Sequence, residues 1–151
     1  MSSPIATKLS DPQRKVLQQG GAGLLITVGS DRFPTTAFVW AVAVSETIVR
    51  FATEGRDTLA NLEREGRASL QVLGARNQVY LIQGTTSITK PRLEALPFDS
   101  TMMTLQITGV KDQTWPEVTV SPLAYEWSSE RRDEWRATEQ AVYQELKNWQ
   151  D

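Results

Sequence analysis

Arg56 stands in a polar loop, Thr53-Glu54-Gly55-Arg56-Asp57-Thr58, between the end of a β-rich run and the start of a helical one. Backbone N–H groups in the first turn of a helix lack intrahelical partners and carry partial positive charge, so a phosphate can sit there. Arg56 adds a planar guanidinium fork to the same place. Thr53, Thr58 and Asn61 supply hydroxyl and amide groups around it. The competing reading is an ordinary polar loop that starts a short helix, with Arg56 in solvent. Upstream, Thr35, Thr36, Phe38 and Trp40 lie on an apolar run that can wall a planar aromatic ligand. Alternate residues of any buried strand must also be apolar, so core or interface packing competes for Phe38 and Trp40. Gln78 and Gln83 bracket a later run; their amides either bond the polar edge of a heterocycle or are satisfied at a strand end. Asp112, Trp115 and Tyr125 surround a late loop, where Trp115 either covers a ligand or anchors its own loop.

These residues need elements to hold them. Ser10-Asp11-Pro12 is a helix start, a capping side chain followed by proline in the first turn, and the helix is expected to run to Gln19 with Val16 and Leu17 buried. Strands are expected at 22–28, 35–44, 48–53, 68–73, 79–89 and 101–110, with turn residues between them. The run 35–44 is apolar on both faces, which calls for barrel interior on one side and a helix or subunit on the other. A short helix is expected at 58–64, and 91–97 reads as a connector. Segments 117–120 and 123–127 are expected to complete the sheet. From Ser129 the period becomes helical: Trp135, Val142 and Trp149 recur every seven residues with Ala141 and Leu146 beside them. The architecture expected is one mainly β domain over 1–151, a small antiparallel barrel of six or seven strands, with the C-terminal helix at 128–151.

Composition removes whole classes of chemistry. The 151 residues include no His and no Cys. A Ser-His-Asp hydrolase, a His-ligated haem, the usual zinc sites and thiol chemistry are thereby excluded or disfavoured. Any redox step must fall to a bound organic cofactor. Net charge is −2, with 16 basic and 18 acidic residues interspersed, so nucleic-acid binding has little electrostatic support. The first residues lack the apolar core of a secretory signal and no run is long enough to span a membrane, so the cytoplasm is the expected compartment.

The order of several short motifs resembles the pyridoxamine 5'-phosphate oxidase-like family, the FMN-binding split barrels. They are Pro34 before an outward strand, Phe51-Ala52-Thr53 closing the next one, Asn61-Leu62 in the short helix, and Arg67-Ala68-Ser69-Leu70 opening another strand. Val79-Tyr80-Leu81-Ile82-Gln83-Gly84-Thr85 follows as the next strand. The resemblance covers residues 15 to 127. It implies a homodimer with two sites at the interface, FMN as cofactor and oxidoreductase activity. Thr36, Trp40, Thr53, Arg56, Thr58, Asn61 and Gln78 would form the cofactor site, with the phosphate at the Arg56 loop and the ring against Thr36–Trp40. No metal site and no catalytic acid or base is implied. The family usually carries basic residues at positions that fall here on Ala37 and Val42, and a basic triplet that falls near Arg56-Asp57-Thr58. A genuine pyridoxamine phosphate oxidase is therefore not expected. Two alternatives stay open: a flavin-free dimer acting as a binding or stress-associated module, and a reductase using deazaflavin F420.

Overall fold

A computed structural model describes residues 5–128 and 130–150. The expectation for the first residues, that no secretory leader is present, lies partly outside them. Ser10 accepts from the Gln13 backbone N–H while the Gln13 side chain accepts from Ser10 N–H, and this reciprocal cap starts α1, Asp11–Leu17. The strands follow as β1 (Gly21–Val28), β2 (Pro34–Ala43) and β3 (Ile48–Thr53). Next come α2 (Arg56–Arg64), β4 (Arg67–Gly74), β5 (Gln78–Lys90), β6 (Thr101–Asp112) and α3 (Arg132–Asn148). All six strands pair antiparallel in the closed order β1-β2-β3-β6-β5-β4, sealed by β1 against β4 at Leu24–Gln71, Leu25–Leu70 and Ile26–Ser69.

The period of two in each strand sends one set of side chains inward. Leu25, Val39, Ala41, Val49, Phe51, Leu70, Val72, Tyr80, Ile82 and Leu105 fill the barrel. Leu17 of α1 closes the end where β1 begins, and Tyr80 donates its hydroxyl to the Gln13 carbonyl there at 2.7 Å. Leu62 of α2 enters the same core beside the opposite end, where Asn61 donates to Thr27 at 3.0 Å. Register slips between Gln83 and Gly84, and the β6 backbone passes so close that a Cβ on Gly84 would strike the Gln106 carbonyl.

The apolar outer face of β2 finds its cover in α3. Val42, Ala52, Met102, Leu93 and Leu96 form a second core beneath Val142, Tyr143 and Leu146. Arg50, itself buried, donates to the carbonyls of Leu146 and Trp149 and so satisfies the end of α3. Glu145 ties the 90–95 connector to this helix, accepting from Lys90 Nζ, Glu94 N–H and Ala95 N–H at 2.8–2.9 Å.

Several expectations need correction. Segments 117–120 and 123–127 are not strands. The barrel is closed and offers no free edge, Pro116 and Pro122 lack N–H donors, and Glu117 sits at φ +63. The segment instead runs over the surface as a strap, held at Val120 N–H to Asn77 Oδ1 and Leu123 N–H to the Leu73 carbonyl. Helix α1 stops at Leu17, two residues before Gln19, and Val16 is only half-buried. Helix α2 starts at Arg56 rather than Thr58, and α3 starts at Arg132. In the C-terminal stripe Ala141 is exposed, and Tyr143 takes the buried place beside Val142 and Leu146.

Candidate functional site

The outer surface of the barrel divides at β2. Register sets Thr36 beside Ile26, Ile26 beside Ser69 and Ser69 beside Gln83, a polar and apolar row running uncovered across β2, β1, β4 and β5. The next row joins Pro34 to Val28, and Arg67 lies opposite Thr85. Here an open groove of about 960 Å³ is lined by Ile26, Val28, Ser69, Gln83, Thr85 and three arginines, Arg32, Arg64 and Arg67. Among the described residues Arg64 donates only to neutral acceptors, the Val28 carbonyl and Asn61 Oδ1, and has no counter-charge there. Arg67 is chelated by Glu65, which also lines the groove; their mutual hydrogen bonds hold the Glu65 carboxyl below its usual range and raise the Arg67 guanidinium. Both side chains are exposed, so this pair adds little to stability. Arg32 sits at φ +71 in the turn after β1 and has no ion-pair partner among the described residues.

At the start of α2, Gly55 is the cap residue and contributes no side-chain cap bond. The first-turn N–H groups therefore remain open to an external acceptor. Arg56 is exposed beside them, and so is Asp57, whose negative charge opposes an anion. Thr53, Thr58 and Asn61 are buried. The Asn61 amide is committed on both sides, donating to Thr27 and accepting from Arg64 at 2.7 Å. Of these four residues, Arg56 alone faces solvent.

Farther along β2, Trp40 is half-buried against Tyr143 of α3, while Phe38 keeps 45% of its surface exposed. Together with Val39, Ala52, Glu54, Tyr125 and Trp127 they line a pocket of about 360 Å³. Its rings stand nearly perpendicular: Phe38 and Tyr125 at 85°, Tyr125 and Trp127 at 85°, Trp40 and Trp127 at 71°, with centroids 5.2–6.0 Å apart. Trp127 also stacks on Trp135 at 5.3 Å. Glu139 of α3 fixes this wall, accepting from the Tyr125 hydroxyl, the Tyr143 hydroxyl at 3.2 Å and the Trp127 indole at 3.3 Å. Partial burial raises the Glu139 carboxyl above its usual range despite the Tyr143 bond, and burial with Glu139 nearby raises the Tyr143 hydroxyl. Glu54 is raised as well, by burial, with a backbone hydrogen bond opposing.

The remaining sequence candidates scatter. Gln78 starts β5 opposite Gly74, while Arg67 and Thr85 pair at the other end of the same ladder, about 23 Å away. Gln83 and Thr36 share the row beside the large groove. Thr35 is exposed at the start of β2. Asp112 accepts from Thr114 N–H within its own turn, and Trp115 is 72% exposed. Only Tyr125 of that late group joins the aromatic pocket. Sequence reasoning missed Glu54, Trp127, Glu139 and the three groove arginines as site residues. The alternation of Tyr125 and Trp127 was a usable signal, because an extended segment points them the same way. The arginines had none: they come from a turn, a helix end and a strand start.

No family model matches this sequence, and no curated protein matches it. Solved structures do. An F420 reductase superposes with a TM-score of 0.60 at 16% identity, over 70% of this chain and 100% of that one. HupZ of Group A Streptococcus gives 0.58 at 11% identity, over 75% and 99%. A conserved hypothetical protein from Mycobacterium tuberculosis gives 0.55 at 14%, over 80% and 94%. At these identities the likeness is one of architecture, and it establishes the chain as a six-stranded antiparallel split barrel with three flanking helices.

Proposed function

We propose that this split barrel binds a flavin-type cofactor and acts as an oxidoreductase, with deazaflavin F420 suiting its residues better than FMN. The observation that carries this reading is the gathering of Arg32, Arg64 and Arg67 around one groove of about 960 Å³ on the uncovered face. A long anionic tail needs such a run of cations, and Ser69, Gln83 and Thr85 add neutral hydrogen-bonding groups along it. The FMN arrangement fits less well. Ala37 and Val42 bring no charge to the phosphate, Val42 lies beneath α3, and Asp57 opposes the charge of Arg56. The F420 reductase among the structural neighbours agrees with the choice without establishing it.

In this reading the bound ring supplies hydride chemistry, while the chain positions it. Arg32 and Arg64 neutralise the anionic tail, and Thr36 with Ile26 borders the ring. We further propose a homodimer in which a second copy covers Val28 and Phe33, apolar side chains exposed along this face. A second reading, a flavin-free binding module, is favoured by the same Ala37, Val42, Asp57 and Thr58.

Titration with F420 and with FMN, followed by quenching of cofactor fluorescence, tests the proposal. F420 binding that weakens roughly tenfold in Arg32→Gly supports it, that being the worth of a charge-assisted contact. FMN binding that depends on Arg56 and ignores Arg32 restores the FMN site. Absence of binding to either leaves the flavin-free module.

A further inference from the structure

We infer that the pocket between β2 and the strap, enclosed by Phe38, Trp40, Tyr125 and Trp127 with Glu54 at its wall, binds a small organic cation carrying an alkylated ammonium group. Four aromatic rings line a space of about 360 Å³, and the neighbouring rings meet at 71–85°. A pocket lined by several aromatic rings is the kind of site that recognises an alkylated ammonium. Its diffuse charge is drawn to the ring faces, and its methyl groups need no hydrogen-bond acceptors. A neutral aromatic guest would gain from the rings alone. The fifth wall argues against that guest.

Glu54 lies at the junction of β3 and α2, and it lines this pocket together with the rings. It has no ion-pair partner among the described residues. Desolvation of the part of its carboxyl turned toward the rings disfavours the charged form, a cost that a neighbouring cation relieves. A carboxylate held unpaired against apolar rings is a poor neighbour for an anion or a neutral ring and a good one for a cation. The pocket is also firmly built. Val39 and Ala52 of the barrel wall complete its lining, and the strap wall is clamped to α3 by Glu139 through Tyr125 and Trp127.

This site is separate from the arginine groove, which shares no lining residue with it. The inference therefore stands whether or not a flavin binds. The two pockets differ in electrostatics, Arg32 and Arg64 in one and the Glu54 carboxylate in the other, so they select ligands of opposite charge.

Calorimetric titration of the full chain with choline and with its uncharged isostere 3,3-dimethylbutan-1-ol tests the inference. Choline is expected to bind saturably, with the isostere weaker by about tenfold or more, the worth of one or two cation–π contacts. Glu54→Gln, a change that keeps the side chain's size and removes its charge, is expected to weaken choline by a similar factor and leave the isostere unchanged. Trp127→Phe keeps a ring and is expected to retain most of the affinity. Equal binding of choline and the isostere overturns the inference, because the pocket is then merely apolar. So does choline binding indifferent to Glu54→Gln, which places the cation elsewhere, and so does the absence of saturable binding.

Discussion

The two ends of the outer face of β2 meet different fates. Toward its C-terminal end, Val42 is fully buried because α3 lies over it and lays down Val142, Tyr143 and Leu146. Toward its N-terminal end, Thr36 and Phe38 belong to a face that no helix covers. The covered region is held by dispersion, burial and a few committed polar groups, Arg50 and Glu145 among them. The uncovered region holds its cations in reserve: among the described residues, Arg64 bonds only neutral oxygens and Arg32 has no ion-pair partner. A residue buried under α3 cannot contact a ligand without unpacking the helix. The difference teaches that the site must be sought where side chains are left with unspent electrostatics, and the family position at Val42 is not such a place.

The comparison breaks most visibly at Leu146. Leu146→Ala opens a cavity beneath α3 and is expected to cost about 2–5 kcal/mol in denaturant unfolding, with ligand binding at the arginine groove preserved in the folded fraction. If the loss is under about 1 kcal/mol, α3 is a loose appendage rather than a cover. Gly84→Ala forces a Cβ into the Gln106 carbonyl at the bulge. It is expected to cost roughly 1–3 kcal/mol by the same assay, or more if the bulge cannot relax. Arg50→Leu strips the donors from the last carbonyls of α3 and is expected to cost about 1–3 kcal/mol, read as faster amide exchange at the end of that helix.

Two carboxylates on α3 make a smaller and more selective test, because they respond to acid in opposite directions. Burial works against the charge on Glu145, yet the Glu94 N–H, Lys90 and the Ala95 N–H together hold its carboxyl below 4.5. Its folded form is the better acid, so its contribution is present above the unfolded pKa and lost as pH falls through the lower folded one. Glu139 is raised in the fold, mainly by burial. Its ionised form is disfavoured at neutral pH, and that penalty is relieved as pH falls through the raised value. Glu145→Gln is thus expected to flatten the acid limb of the stability–pH curve. Glu139→Gln is expected to remove a stabilising slope in the window just above pH 4.5. Equal curves for both variants would mean that neither network governs α3.

The smallest effect on stability, and the sharpest on binding, is expected at Arg32. Its φ of +71 suits glycine, so Arg32→Gly is expected to be neutral or to stabilise by up to about 1 kcal/mol. The same change should weaken an anionic ligand at the groove. A residue that costs stability and gains nothing in binding would show that the turn, not the charge, fixes its identity.

Much of the fold was legible in the chain. Alternating apolar residues located all six strands within a few residues, and Ser10-Asp11-Pro12 located α1, because strand and helix periods and caps are local properties. The strap was misread as two strands for a non-local reason. A β-prone segment pairs only if an edge is available, and closure of β1 on β4 removed it. Thr53, Thr58 and Asn61 had the right chemistry for a phosphate loop; whether such groups face a ligand depends on which way α2 rolls onto the barrel, and here it turns Asn61 toward Thr27.

The sequence by itself determined the periodicities, the caps, the absence of His and Cys and hence the dependence of any redox step on a bound cofactor. Only the tertiary structure decided which polar groups were used up inside and which stayed available. It gathered Arg32, Arg64 and Arg67 from a turn, a helix end and a strand start into one groove, and it set Glu54 beside four rings. Local patterns fix how each segment folds, because their energies depend on near neighbours in the chain. Sites of this kind depend on which segments close a barrel together, and that is settled by packing and register across the whole molecule.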